Sequence, residues 1–315
     1  ISLDDQLSDA YTVRGDYYTT MEKRSQAEAD YDRAIKLNPN DDKAYAGKGF
    51  LFDTFDDIKT LENFLKAASL HRGPLLPQLL RKIGLVFMSA GFTNKAEYYY
   101  HEALKLDGDS LQHYFVLATL AFCTENYEEA VDFQEKAYRL KPESIIIINA
   151  LGQYNMFAGL PEESLKYYEK MLEGGNILSE QSLFSKHRLG WAYWKNGDKE
   201  KARYYLNEQI KYCNRMKELG RVYGDDVRIF YDLAGVYAFL GDRQKAYENL
   251  GISKDYKDKL GLSPSLYGLS LIRHDPLFES IRNDPEFQQM LLEYQTRFQA
   301  NHERVGTWLE ENKML

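Results

Sequence analysis

The chain has 315 residues, 44% hydrophobic and 28% charged, with 40 basic against 48 acidic side chains and a net charge of −8. That balance supports a buried core, and its sign opposes a phosphate-backbone partner, so no nucleic-acid binding is expected. The longest wholly aliphatic run, Ile145–Ile148, is far shorter than the roughly 20 residues of a membrane span, and two cysteines, Cys123 and Cys213, build neither a disulfide framework nor a CxxC zinc site.

The opening stretch, ISLDDQLSDAYTVRGDYY, recurs at a constant offset of 34 in residues 35–52, IKLNPNDDKAYAGKGFLF. Ile1 aligns with Ile35, Leu3 with Leu37, Ala10 with Ala44, Tyr11 with Tyr45, Gly15 with Gly49 and Tyr18 with Phe52. The first residues therefore read as the tail of one repeat unit, the rest of which has been cut. Small residues then recur along the chain at Gly15, Gly49, Gly84, Ala118, Gly152, Gly190 and Ala234, in steps of 34, 35, 34, 34, 38 and 44. Twelve positions after each comes a second small residue, at Ala27, Ala96, Ala130, Ser164, Ala202 and Ala246, with Leu61 breaking the pattern in the second unit. Ala34, Ala68, Ala103 and Ala137 follow at nineteen, and Pro39 and Pro142 at twenty-four.

This spacing predicts helical hairpins. Two antiparallel helices approach closely where Gly or Ala removes bulk, aromatic rings fill the wedge on either side, and Pro starts the next turn where no helical N–H is needed. Turn signals fall between the paired helices at Gly91, in GDKE at 197–200 and in GDRQ at 241–244. The run LEGGNILSEQ after the fifth unit and a lengthened second helix in the sixth account for the two long steps.

The pattern resembles the tetratricopeptide repeat (TPR), carried best by Tyr11, Gly15, Tyr18, Ala27, Tyr31, Ala34 and Pro39. The resemblance implies an all-α fold, a right-handed TPR superhelix of about seven units over residues 1–261. Residues 262–315 are expected to form a non-repeat C-terminal helical cap. There, Asp275-Pro276 and Asp284-Pro285 each read as an N-cap and first residue of a helix. The second helix is expected to run long, with Phe287, Leu291, Tyr294, Phe298, Val305 and Trp308 on one stripe interrupted by Asn301. The competing role for residues 284–315 is homodimerisation.

No P-loop, GxGxxG, HExxH or GxSxG is present, and KLDGDS at 105–110 lacks the ligands of a calcium loop. No catalytic residue, metal site or cofactor is assigned, and the chain is not expected to be an enzyme. In TPR-like folds the first helices line a concave groove. The groove positions here include Arg81, Phe115, Phe122, Asn149, Gln153, Phe157, His187, Trp191, Trp194, Arg228 and Tyr231, an aromatic stripe edged by amides and bases. A clamp for an acidic C-terminus is not expected. Its matching places hold Thr12, Asp16, Phe50, Arg81 and Leu85, of which Arg81 alone has the right chemistry.

The tail DPLFESIRNDPEFQQML and the opening stretch also resemble the ends of TPR regions in large bacterial signalling proteins and transcription regulators. That likeness implies a protein-protein interaction scaffold, the sensory or binding region of a larger regulator, with a protein or peptide segment as partner. It further implies a periplasmic location if the region is the ectodomain of a membrane-anchored regulator, and a cytoplasmic one otherwise. The alternative is a receptor groove for a peptide or small apolar ligand. An open stripe favours the receptor, and a stripe occupied by residues 284–315 favours the scaffold or autoinhibition.

Overall fold

The computed structural model describes residues 7–173, 186–219 and 228–314. Ile1 and Leu3 of the opening stretch, most of the run after the fifth hairpin and the end of the sixth lie outside these residues. Among the described residues there are sixteen α-helices and no strand. They divide into two compact units, residues 1–109 with 263–266 and 296–315, and residues 110–262 with 267–295.

The first unit stacks three hairpins: α1 (Ser8–Thr20) with α2 (Arg24–Leu37), α3 (Asp42–Phe52) with α4 (Asp57–Leu70), and α5 (Leu76–Ser89) with α6 (Thr93–Asp107). The second stacks four: α7 (Ser110–Cys123) with α8 (Tyr127–Leu140), α9 (Ile145–Phe157) with α10 (Pro161–Glu173), α11 (Lys186–Lys195) with α12 (Lys199–Glu218), and α13 (Arg228–Leu240) with α14 (Arg243–Leu260). After them come α15 (Leu266–His274), a 3₁₀ turn at Pro276–Phe278, and α16 (Pro285–Glu311).

The glycines sit where the helices of a hairpin meet. A Cβ on Gly15 would lie 2.7 Å from Tyr31, on Gly49 2.5 Å from Phe64, on Gly84 2.5 Å from Tyr100, on Gly152 2.6 Å from Tyr168 and on Gly190 2.8 Å from Leu206. Each partner is fully buried, a gain of about 1.5–3 kcal/mol per large apolar side chain. The turns follow the same count. Seven residues after the small residue the backbone is left-handed, at Glu22, Gly91, Glu125, Gly159, Gly197 and Gly241. Carboxylates close the next helix start: Asp198 accepts from the Lys201 amide at 3.0 Å, and Asp242 from the Lys245 amide at 3.2 Å.

The second hairpin departs from the expected register. Its left-handed residue is Thr54, closer to Gly49, and the partner ring Phe64 comes one residue earlier than its equivalents. The small slot is therefore Thr60 rather than Leu61, and the buried alanine is Ala67 rather than Ala68. A turn one residue shorter shifts the whole of α4, so Leu61 causes no break; it is simply the next core residue.

The tail contributes to both units. In the first, the Ser263 amide donates to the Thr54 carbonyl at 2.8 Å and the Trp308 indole to Glu62 at 3.2 Å. His302 stacks on Phe92, their rings 4.4 Å apart. Asn301, which interrupts the apolar stripe, is buried and donates to Asp57 at 2.6 Å. In the second unit, Phe287 is buried against Phe278, ring centroids 5.6 Å apart. Asp275 caps three residues of 3₁₀ turn and not the expected helix. The Arg282 guanidinium takes the carbonyls of Arg273 and Asp275, and Ser280 donates to the Ala238 carbonyl at 2.6 Å, so the backbone here is tied off before a second turn forms.

Candidate partner-binding surface

The first helices of each unit form a wall, and the two walls differ. In the first unit Phe50 is 42% and Leu85 39% exposed. The Lys82 ammonium stands 5.3 Å from the Phe50 ring centroid and 3.5 Å from Asp53. Arg81 is half-buried and grips Asp107 through two bonds of 2.7 and 2.9 Å, which hold that carboxyl below its ordinary range. This wall is thus an open apolar pair bordered by cations.

In the second unit the wall of α7, α9, α11 and α13 is covered by residues 267–281. Phe122 is buried beneath Tyr267, ring centroids 5.3 Å apart, and packs edge-on to Phe157 at 4.9 Å. Gln153 donates to the Tyr267 hydroxyl at 3.2 Å, and Ser270 to the Cys123 carbonyl at 2.7 Å. Further along, Tyr231 donates to Asp275 at 3.2 Å and meets Phe278 edge-on at 5.2 Å. Leu277 belongs to the same buried apolar cluster as Trp191. It also lies over Gly235, where a Cβ would come within 3.2 Å of its side chain. The occupant is thus residues 267–281, not the long helix that follows.

Behind Asp275 lies a buried polar cluster. His187 faces Asp232 at 3.5 Å, and the Arg188 guanidinium acts on Asp232, Asp275, Tyr168 and Tyr267. Burial raises Asp232 to about 7 against the pull of Arg188, and lowers His187 to about 3. Burial raises Asp275 as well. Several buried polar atoms here, Asp232 Oδ2, Arg188 Nε, His187 Nδ1 and Trp191 Nε1, have no hydrogen-bond partner among the described residues.

Of the remaining wall positions, Phe115 and Asn149 are half-buried on α7 and α9, and Arg228 is exposed at the start of α13. Trp194 is half-buried, edge-on to Phe239 at 5.5 Å, with the Lys199 ammonium 3.9 Å from its ring centroid. Trp194 and Arg228 therefore do not converge with Trp191 on one exposed patch. Sequence reasoning missed Arg188, Asp232, Gly235 and the tail's Asp275, Leu277 and Phe278. One signal was available: Arg188 and Asp232 stand two residues before the small residue of consecutive first helices, so opposite charges recur at one repeat position.

Both thiols are buried and free, and burial pushes Cys123 up to about 12 and raises Cys213 too, so neither is a ready nucleophile. Among the described residues no group of three His, Cys, Asp or Glu could hold a metal ion, and no helix is long and apolar enough to cross a membrane.

Tetratricopeptide repeats match residues 8–41, 81–145 and 185–215, and the stacked hairpins have the architecture of such repeats. The chain is 25% identical over 176 residues, 53% of its length, to the TPR repeat-containing protein MJ1428 of Methanocaldococcus jannaschii, and spans 31% of that relative's length. Among solved structures it is similar to a tetratricopeptide repeat protein from Parabacteroides merdae, at TM-score 0.56 and 12% identity, over 79% of this chain and 92% of that one. It is also similar to PilW, a type IV pilus biogenesis factor, at TM-score 0.52 and 17% identity, over 70% of this chain and 96% of that one. Both structural likenesses concern the fold.

Proposed function

We propose that the chain is a non-catalytic protein-interaction scaffold, the sensory or binding region of a larger bacterial regulator. The observation that supports this reading is the open wall of the first unit. Phe50 and Leu85 are exposed at the same repeat position of successive first helices, one residue after Gly49 and Gly84, and the Lys82 ammonium lies 5.3 Å from the Phe50 ring centroid. Exposed apolar pairs with a polar rim are the usual centre of a protein contact, and TPR arrays present such faces to extended segments. The link to a regulator rests on the likeness of the two chain ends to TPR regions of such proteins.

The test is in-cell cross-linking and purification of the full chain against a Phe50→Ala/Leu85→Ala variant, with helicity and melting recorded on both. Loss of a specific cross-linked protein by tenfold or more in a variant that still folds is expected. Unchanged recovery would remove this wall as the binding face.

A further inference from the structure

The tail carries one short pattern twice, Asp275-Pro276-Leu277-Phe278 and Asp284-Pro285-Glu286-Phe287. Both copies are received by the last hairpin, the first at α13 and the second at α14. Each aspartate accepts from a tyrosine hydroxyl, Asp275 from Tyr231 of α13 at 3.2 Å and Asp284 from Tyr247 of α14 at 3.0 Å. Each phenylalanine enters one apolar cluster with Ala234, Ala238 and Leu250. Only the first copy lies on the α11–α13 wall, and only it has an apolar third residue, Leu277, where the second has Glu286.

The first copy sits on the wall that TPR arrays use for binding. Its Asp275 carboxylate lies in the field of half-buried Arg188, its Leu277 lies over Gly235, and Phe278 is fully buried. The backbone is short and irregular, a three-residue 3₁₀ turn between two helices. The fit is also incomplete, because Arg188 Nε, Asp232 Oδ2 and Trp191 Nε1 remain without partners around it. Buried unpaired groups of this kind weaken a docked segment.

We propose that the α11–α13 wall is a recognition surface for a partner protein's Asp-Pro-apolar-Phe segment, and that residues 275–278 are its resident competitor. Charge complementarity selects the aspartate, the Gly235 floor admits the apolar side chain, and the aromatic cluster takes the phenylalanine. A tethered competitor acts at high effective concentration, so an outside segment binds weakly until the tail is loosened. This goes beyond the reading of the first unit and stands or falls separately from it, since Phe50 and Leu85 take no part.

The probe is a labelled peptide of residues 271–284, LIRHDPLFESIRND, titrated into the full chain. A Gly235→Cys/Leu277→Cys variant serves as the lock. The Cβ positions are 3.3 Å apart, close to the roughly 3.5–4.5 Å that a disulfide spans, and both native thiols are buried. The expected result is an intramolecular cross-link on oxidation, and peptide binding at least tenfold tighter to the reduced variant than to the oxidised one. A peptide with Asp275→Asn and Phe278→Ala should lose that binding. Equal binding to both redox forms, equal binding of the substituted peptide, or a cross-link between two copies would overturn the proposal, the last by making a second chain the occupant. Should the variant not fold, the parent decides. Excess peptide should speed tryptic cleavage at Arg273 and Arg282 at least threefold, and an unchanged rate overturns the proposal.

Discussion

Gly235 has no side chain where Leu277 passes, and the two residues fit as floor and lid. A Cβ added at Gly235 would lie 3.3 Å from the Leu277 Cβ and 3.7 Å from the Phe278 ring. Gly235 is unlike the glycines inside hairpins, because its neighbour is the tail rather than the paired helix. A Gly235→Val substitution is therefore expected to lift residues 275–281 while leaving α13 paired with α14. Limited trypsin digestion should show faster cleavage at Arg273 and Arg282, with little change in helicity. Unchanged cleavage would mean that Leu277 is not held by this contact.

Gly190 represents the other kind. Its Cβ would meet Leu206 at 2.8 Å and the Ala202 carbonyl at 3.1 Å, so α11 and α12 would have to separate. We predict that Gly190→Leu destabilises the second unit by about 1–3 kcal/mol through overpacking. Chemical denaturation checks this, and a parent-like midpoint would contradict the hairpin register.

Asn301 and Asp57 form a buried pair in the first unit, 2.6 Å apart, and burial raises the Asp57 carboxyl despite this bond. Removing the donor by Asn301→Ala leaves a buried acceptor unsatisfied, at a cost of about 1–3 kcal/mol. The raised carboxyl makes the parent lose part of its stability as pH rises above the ordinary aspartate range. Without the amide, which favours the charged form, that loss should be larger. Melting at pH 4 and pH 7 tests both points, and an equal deficit at the two values would contradict the assignment.

The hairpins were legible because their contacts are local. Gly152 meets Tyr168 and Gly84 meets Tyr100 within one repeat, so a period in the sequence carries the packing. The one-residue slip at Thr60 was hidden because Leu61 is also buried and the shorter turn has no Gly to mark it. The tail was not legible in the same way. Gln153 meets Tyr267 and Ser270 meets Cys123 across more than a hundred residues, and no period links them. Asp-Pro signals a cap, as at Asp275, but a cap does not say how long its helix runs. That depended on Arg282 and Ser280 drawing the backbone onto α13. The aromatic stripe was likewise visible, while its cover was not, so Phe122 and Tyr231 read as exposed anchors although both are buried and the tail packs on them, and Trp191 is buried as well.

His187 and Asp232 face one another and oppose one another in pH dependence. Asp232 is raised from 3.8 to about 7, so its contribution is fully present below about pH 4 and is lost as pH rises through 7. His187 is lowered from 6.5 to about 3, so its contribution is present above about pH 6.5 and is lost as pH falls toward 3. In the parent the two slopes cancel in part between them. An Asp232→Asn variant should keep only the histidine slope, and its stability relative to the parent should climb from pH 4 to pH 8. Denaturation midpoints across that range provide the check, and a pH-independent difference would contradict the raised Asp232 carboxyl.

The docking of the tail on the α11–α13 wall is tested most directly by a double-mutant cycle on Tyr231 and Asp275, which are 3.2 Å apart across the contact. Tyr231→Phe removes the donor and Asp275→Ala the acceptor, and the partners that Asp275 keeps elsewhere cancel in the cycle. The measurement is the stability of the parent, the two single variants and the double variant of the full chain. The docked tail predicts a coupling energy of at least about 0.5 kcal/mol, the double variant losing less than the two single losses together. Losses that add to within about 0.3 kcal/mol would mean that the tail does not rest on this wall.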